Sequence, residues 1–206
     1  MKKITKTLLL LLAIICVSSC GKKDLSEGTI EGVTYKETSV ITNVIKIEMA
    51  NDDIILVELY PEIAPITVEN FQKLVGNEFY DKSRYHRVIN GFMIQGGKSS
   101  KGEEARTIIG EFSINGIENS LKHERGVISM ARLGDDPETS YTMNSASSEF
   151  FIMHQDEPFL DGKYAAFGKV IAGMSAVDSI AKVKTDVYDE PIQIQTIRSI
   201  RFVEIS

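Results

Sequence analysis

Alternating apolar and polar residues predict a β-hairpin over residues 43–60, "NVIKIEMANDDIILVELY". Apolar side chains recur at every second position on both sides of Asn51-Asp52-Asp53. This period places them on one face of a strand, and Asn and Asp are frequent in the turns that join strands. We therefore expect two antiparallel strands that bury a shared apolar face.

The next segment, "PEIAPITVENFQKLVGNEFY", has the spacing of an amphipathic helix instead. Pro65 suits the first turn, where its missing N–H is not needed, and Gly76 suits the C-terminal cap. The same spacing predicts a second helix in "GMSAVDSIAKV", residues 173–183. In the first helix the apolar positions are Val68, Phe71, Leu74 and Val75.

Short apolar runs between turn signals account for the rest of the chain and have the length of strands. Many short strands with only two helices favour a mainly β fold, a closed antiparallel barrel whose ends the helices cover. The runs are "YHRVI", "FMIQGG", "GVISMAR", "EFFIMH", "AAFGKV" and "TIRSIRFVEI".

The first residues, "MKKITKTLLLLLAIICVSSC", have the pattern of an export signal. The apolar run from Leu8 to Val17 is shorter than the roughly 20 residues that span a bilayer as a helix. Its end, residues 17–20, resembles a bacterial lipoprotein box, so we interpret residues 1–19 as a signal peptide and Cys20 as the lipidated first residue. The prediction is an exported bacterial lipoprotein, anchored in the membrane at the periplasmic face or in the outer membrane. The alternative is an ordinary secretory signal with an incidental cysteine.

Residues 20–43 are polar, contain three glycines and show no sustained periodicity. We interpret them as the lipidated cysteine and a flexible tether. The remaining residues, 44–206, are enough for one domain with a substantial core.

Charge and cysteine content narrow the choice of partners. The chain has 23 Lys and Arg against 29 Asp and Glu, and cleavage after residue 19 removes three lysines and no acid, which leaves a net charge of about −9. An acidic protein of this kind is a poor partner for nucleic acid. The only cysteines are Cys16 and Cys20, so a lipidated Cys20 leaves no thiol for a disulfide.

Four ordered motifs carry a resemblance to a known family. "YHRVINGFMIQGG", "GVISMAR", "SSEFFIMH" and "FLDGKYAAFGKV" are similar in order and spacing to the cyclophilin family of peptidyl-prolyl cis-trans isomerases, from about Val44 to the C-terminus. The resemblance implies a closed antiparallel eight-stranded barrel capped by two α-helices, with the active site on its outer surface. It also implies activity on X-Pro bonds without a cofactor.

The chemistry of such an enzyme explains why an arginine is needed. Rotation about an X-Pro bond faces a barrier of roughly 18–20 kcal/mol, because the amide nitrogen shares its lone pair with the carbonyl. A donor aimed at the prolyl nitrogen favours the twisted state, in which that lone pair becomes available. Arginine is always charged and holds its donors in a rigid plane. The resemblance assigns this role to Arg87.

The resemblance also assigns roles to the residues around Arg87. Gln95 is expected to steady Arg87 and to bind the substrate backbone, and His86 to support the arginine structurally. The backbone of Ala131 and Arg132 is expected to hold the extended peptide. An apolar socket for the proline ring is expected from Phe92, Met93, Phe151 and Leu160, whereas Phe150 and Ile152, on the same strand as Phe151, are expected in the core.

Three residues of the predicted groove depart from the family pattern. Glu149 stands where many members have glutamine, Phe159 where well-known eukaryotic members have tryptophan, and Tyr164 where they have histidine. The segment "LGDDPETSYTMNSAS" is also longer than usual. These changes leave the arginine chemistry intact, and we expect them to affect substrate preference.

We predict a peptidyl-prolyl isomerase that acts on proline-containing unfolded or extended polypeptides. No metal site is expected, because His86, His123 and His154 lack the spacing of metal ligands. Two alternatives remain, a proline-peptide binding module with little turnover and a membrane-tethered holdase chaperone. Retention of Arg87 and Gln95 favours the enzyme over the binding module.

Overall fold

The computed structural model describes residues 26–134 and 139–206. The predicted signal peptide and the predicted lipidation site Cys20 therefore lie outside the described residues. Within the described part of the chain, no helix has both the length and the apolar character needed to cross a membrane.

The described residues form eleven strands and three α-helices. The helices are α1 (Pro65–Gly76), α2 (Ser140–Met143) and α3 (Met174–Ala181), and short 3-10 turns span Ser113–Asn115 and Pro158–Leu160. The strands are β1 (Glu27–Ile30), β2 (Val33–Glu37), β3 (Val44–Met49), β4 (Ile54–Leu59), β5 (Arg84–Tyr85), β6 (Arg87–Ile89), β7 (Met93–Gly96), β8 (Val127–Met130), β9 (Phe150–Met153), β10 (Ala166–Ala172) and β11 (Gln195–Ile205).

The predicted hairpin is confirmed as β3 and β4, which pair antiparallel with Ile47 opposite Ile55. Both predicted helices are confirmed as α1 and α3. The end of α1 differs from the prediction, because the helix includes Gly76 and Asn77 is the cap. The positive φ that a terminal glycine often supplies occurs two residues later, at Glu78.

The start of α1 is capped by a residue distant in the sequence. Ala64, the N-cap, contributes no side-chain hydrogen bond. The buried carboxylate of Glu111 accepts the N–H groups of Ile66 at 3.0 Å and Thr67 at 2.8 Å instead. A negative charge also suits the positive end of the helix dipole. The helix therefore begins at Pro65 with a cap that local sequence does not supply.

Antiparallel pairing joins the strands in the order β1-β2-β11-β3-β4-β10-β8-β9-β7-β6, with β5 paired to β11 off this path. The sheet does not close through one continuous strand. Only His86 separates β5 from β6, so the chain passes within one residue from pairing with β11 to pairing with β7. The mainly β antiparallel fold is confirmed, but the described residues contain eleven strands and three helices where eight strands and two helices are predicted.

Alternation along β9 separates the main core from the outer surface. Phe150 and Ile152 belong to the main core, as predicted, together with Phe71 and Phe167. The intervening Phe151 and Met153 face the other way and form a smaller cluster with Met93, Val127, Leu160 and Ala166. Because successive side chains of a strand point to opposite faces, one strand supplies both the core and the site described below.

The predicted flexible tether requires a correction for residues 27–37. These residues form β1 and β2, and β2 pairs with β11. The hairpin is held by polar contacts: Glu37 pairs with the buried Lys46 at 2.6 Å, and Glu31 accepts the Gly173 N–H at 2.9 Å at the start of α3. These partners lie outside the hairpin, on β3 and at the start of α3, so the local periodicity of residues 27–37 does not reveal the hairpin.

Candidate active site

A cavity of about 230 Å³ opens on the outer surface of the sheet beside Arg87. The strands β6, β7 and β9 supply its floor, and the segments after β8 and β9 supply its rim. Nine of the ten lining residues are among the predicted site residues, and the tenth is Gly134. The lining residues are Arg87, Phe92, Met93, Gln95, Ala131, Arg132, Gly134, Phe151, Leu160 and Tyr164.

The floor of the cavity is apolar and tightly packed. Met93, Phe151 and Leu160 are buried there, and Phe92 and Tyr164 pack against them while partly exposed. The rings of Phe151 and Tyr164 meet edge to face with centroids 5.8 Å apart. The predicted socket residues therefore do share one surface, of a size and polarity suited to a small apolar ring.

Arg87 places a cation at the edge of this apolar floor. Its side chain is 44% exposed, and its Nε lies 3.4 Å from Oδ2 of Asp189. Among the described residues, the guanidinium of Arg87 has no other polar contact. Its two terminal nitrogens therefore remain available to a ligand. Asp189 lies between α3 and β11 and was not among the predicted site residues.

Gln95 lies beside Arg87, but its side chain is engaged elsewhere. The two residues are partners in the β6–β7 register. The Gln95 Nε2 donates to Oε2 of Glu149 at 3.0 Å, so the expected role of steadying Arg87 is not the contact that the structure shows. A carboxylate is a stronger acceptor than the amide that many family members carry at the Glu149 position, which accounts for this difference.

Glu149 is the centre of a small polar network next to the cavity. His86 Nε2 lies 3.1 Å from Oε2 of Glu149, and Lys98 Nζ lies 3.8 Å from Oε1. Burial raises the pKa of Glu149, but the hydrogen bonds from His86 and Gln95 and the charge of Lys98 outweigh it, so the pKa lies below its usual value. Glu149 is therefore ionised at neutral pH and already has three partners.

Ala131 and Arg132 form one side of the rim. The Ala131 N–H donates to the Glu149 carbonyl at 2.9 Å, which fixes the backbone after β8. The Arg132 guanidinium lies over the Tyr164 ring, 4.7 Å from its centroid, and its Nε donates to the Lys163 carbonyl at 2.9 Å. The sequence analysis assigned Arg132 a backbone role, whereas its side chain adds a second cation to the rim.

Phe159 stands apart from the other predicted groove residues. Its ring is mostly exposed and packs against Phe92 at a centroid distance of 5.8 Å, outside the residues that line the cavity. A bound peptide longer than the proline ring would meet it at the rim. Phe159 is thus placed to contact flanking residues of a substrate.

A buried hydrogen-bond chain supports the floor from below. His123 Nδ1 lies 3.1 Å from Asp161 Oδ1, its Nε2 lies 3.1 Å from Ser129 Oγ, and its ring stacks on Phe151. Burial lowers the pKa of His123, although the hydrogen bond that its ring donates to the Asp161 carboxylate opposes this effect. Ser129 is fully buried and cannot meet a substrate, so this Asp–His–Ser chain supports Phe151 and is not a nucleophilic triad.

The histidines do not converge on a metal site. Within residues 26–134 and 139–206, no group of three or more His, Cys, Asp or Glu side chains is arranged to hold a metal ion. His123 and His154 are instead each within 3.3 Å of an aspartate oxygen, Asp161 and Asp178 respectively.

Comparison with known proteins agrees with this geometry. Residues 44–202 match the family described as cyclophilin type peptidyl-prolyl cis-trans isomerase. A peptidyl-prolyl cis-trans isomerase of Schizosaccharomyces pombe is 39% identical over 141 residues, which cover 68% of this chain and 86% of that protein. Another, from Arabidopsis thaliana, is 41% identical over 158 residues, covering 76% of this chain but only 24% of that larger protein.

A solved structure extends the likeness to three dimensions. The cyclophilin type isomerase of Cryptosporidium parvum, crystallised in the presence of the dipeptide Ala-Pro, has a TM-score of 0.64 and 28% identity. The likeness covers 77% of this chain and 97% of that one. The chain described here belongs to the cyclophilin-type peptidyl-prolyl cis-trans isomerases.

Proposed function

We propose that this isomerase binds the proline ring of a polypeptide in the cavity beside Arg87 and that Arg87 donates to the prolyl nitrogen as the bond twists. The observation that carries the proposal is the pairing of an apolar floor with a half-exposed guanidinium whose terminal nitrogens have no partner among the described residues. An arginine in a structural role would have more of its donors satisfied.

We propose separate roles for the two sides of the cavity. Met93, Phe151 and Leu160 exclude water from the ring, which strengthens any hydrogen bond made at its edge. Arg87 stabilises the twisted amide without a covalent step. Gln95 remains close enough to the cavity to contact the peptide backbone, with Glu149 fixing its amide group.

The substrate class we propose is proline-containing unfolded or extended polypeptide. The Ala-Pro dipeptide present with the Cryptosporidium parvum relative supports a site of this kind. An open cavity on an outer surface, without a lid among the described residues, also suits a chain that continues in both directions from the proline.

The cellular setting we propose is the folding of exported proteins by a lipid-anchored enzyme. The support is the signal-like segment and the Val17-Ser18-Ser19-Cys20 motif. The test is incorporation of labelled fatty acid in cells that express the wild type or Cys20→Ser. Label that persists in the Cys20→Ser protein would contradict lipidation at this residue.

Protease-coupled isomerisation of an Ala-Pro peptide, run with wild type and Arg87→Ala, tests the enzymatic role. Wild type that binds the peptide without accelerating isomerisation would favour a binding module. Suppression of aggregation of an unfolded client by both proteins, with refolding equally fast in both, would favour a holdase. The proposed function requires acceleration by the wild type and its loss in Arg87→Ala.

A further inference from the structure

Asp189 belongs to a short turn, residues 186–190, beside the edge of β6. The Val88 N–H donates to the Asp189 carbonyl at 2.8 Å, so the segment pairs with β6 through its backbone. The φ of Asp189 is 64°, in the left-handed region where aspartate is tolerated better than most residues. Backbone pairing thus determines where the Asp189 carboxylate lies.

Hydrogen bonds within the segment hold it in this shape. The Asp186 carboxylate accepts the N–H of Tyr188 at 2.8 Å and that of Glu190 at 3.0 Å, and the Asp186 N–H donates to the Glu190 carbonyl at 2.9 Å. Apolar packing contributes little, because the side chain of Tyr188 is largely exposed. The segment is therefore a turn held mainly by polar contacts.

Two neighbouring acids of this turn contact two arginines, one on β5 and one on β6. Glu190 Oε1 lies 2.9 Å from an Nη of Arg84, and Asp189 Oδ2 lies 3.4 Å from Nε of Arg87. The first contact occupies a terminal nitrogen. The second contact is at Nε and leaves both terminal nitrogens of Arg87 free of described partners, which is the arrangement that a donor to substrate requires.

We propose that Asp189 is a positioning residue for Arg87, holding Nε so that the terminal nitrogens face the proline cavity. A guanidinium is planar, so a contact at Nε restricts the orientation of the whole group. Gln95, to which the family resemblance assigns this task, donates to Glu149 instead. This inference rests on the proposed function, in which Arg87 is the donor to the prolyl nitrogen.

The central test compares Asp189→Gly with Asp189→Asn. Glycine accepts the positive φ and removes the whole side chain, whereas asparagine also tolerates this φ and keeps an acceptor oxygen. We expect Asp189→Gly to lower kcat on an Ala-Pro peptide about five- to tenfold with little change in KM. The kcat of Asp189→Asn should be closer to that of wild type, with a loss of no more than about two- to threefold.

Glu190→Gln is the matched control, because it removes an ion pair from the same turn without touching Arg87. We expect its kcat to stay within about twofold of wild type. A loss in Glu190→Gln equal to that in Asp189→Gly would show that the turn matters only as structure, and would overturn the inference. Unchanged or increased kcat in Asp189→Gly would overturn it too, an increase meaning that Asp189 competes with the substrate.

A double-mutant cycle separates this inference from the proposed function. In an Arg87→Ala background, Asp189→Gly should cause no further loss, because its effect passes through Arg87. If Arg87→Ala alone keeps wild-type activity, the proposed function fails. If Arg87→Ala is inactive while Asp189→Gly is fully active, only the positioning role fails. Should Asp189→Gly not fold, the same cycle with Asp189→Asn decides the matter.

Discussion

Lys46 and Arg87 are both cations that point away from the main core, yet they differ in how many of their N–H donors are used. Lys46 is 1% exposed, and its ammonium group reaches Glu37 at 2.6 Å, Glu48 at 2.7 Å and Ser26 Oγ at 2.7 Å. These contacts occupy all three donors of a lysine. The residue is therefore fully committed to holding the N-terminal hairpin on the barrel.

Arg87 has the opposite surroundings. It is 44% exposed and has five donors, and within the described part of the chain its contact is one of 3.4 Å with a carboxylate that is itself 42% exposed. It borders an apolar cavity, whereas Lys46 is covered by the ring of Tyr35, 5.6 Å from its ammonium group. Charge alone therefore does not mark a candidate functional cation, whereas N–H donors without described partners beside an apolar cavity do.

The largest effect that sharpens this contrast is expected from Arg87→Ala. It should lower kcat/KM on an Ala-Pro peptide by a factor of about 100 or more, the size expected for losing one preorganised transition-state donor. Because the side chain is half-exposed and loosely paired, the free energy of unfolding should change by less than about 1 kcal/mol. The measurements are the protease-coupled assay and urea denaturation. Arg84→Ala is the control, and near-normal turnover in Arg87→Ala would contradict the mechanism.

Lys46→Met should show the reverse pattern, with stability lost and catalysis kept. Removing the ammonium group leaves the mostly buried Glu37 without its ion-pair partner and leaves Glu48 with Arg198 alone, which we expect to lower the free energy of unfolding by about 3 kcal/mol. Urea denaturation measures the loss. Lys36→Met, a change at an exposed position of β2, should lower the free energy of unfolding by less than about 0.5 kcal/mol. A stable Lys46→Met variant with reduced kcat/KM would break the comparison.

Acid should weaken the ion pairs of the Lys46 site. Burial raises the pKa values of Glu37 and Glu48, but the hydrogen bonds from Lys46, together with those from Ser26 to Glu37 and from Arg198 to Glu48, outweigh it and hold both pKa values below the ordinary range. Their contribution to stability is therefore complete above the unfolded pKa of about 4.3 and is lost as the pH falls through the lower folded-state pKa values.

Thermal unfolding from pH 7 to pH 3 measures this acid sensitivity. Wild type should lose stability on acidification, and Glu37→Gln should lose less, because one of the two titrating groups is absent. Equal pH dependence in the two proteins would show that the Lys46 site is not the acid-sensitive element.

The smallest predicted effect concerns Glu149. It tests whether the charge of Glu149, beside the cavity, affects which substrates the enzyme prefers. On peptides with Lys, Ala or Glu two residues before proline, kcat/KM should fall in that order, with a spread of about two- to fivefold, because exposed charge pairs contribute up to about 1 kcal/mol. The spread should shrink at high salt.

Two variants make this prediction specific. Glu149→Gln should flatten the ranking, and Lys98→Ala should widen it by removing the cation 3.8 Å from the Glu149 carboxylate. A ranking that is the same in wild type and Glu149→Gln would mean that Glu149 serves only to hold His86 and Gln95.

The sequence by itself determined the elements whose signals are local. The two-residue period of β3 and β4, the helical spacing behind Pro65, and the alternation of Phe150, Phe151 and Ile152 each report which face of an element is apolar. The resemblance of the ordered motifs to the cyclophilin family then assigned Arg87 and the socket residues Met93, Phe151 and Leu160, which line one cavity.

Only the tertiary structure decided which polar groups meet. Glu111 caps α1, Glu37 of β2 pairs with Lys46 of β3, Asp189 contacts Arg87, and Gln95 donates to Glu149. Each contact joins residues that are remote in sequence or lie on different strands, and its distance depends on how the elements pack against one another. Periodicity indicates which residues of one element are buried. The partner of a charged side chain depends instead on which other element packs beside it, and a local sequence pattern does not contain the identity of that partner.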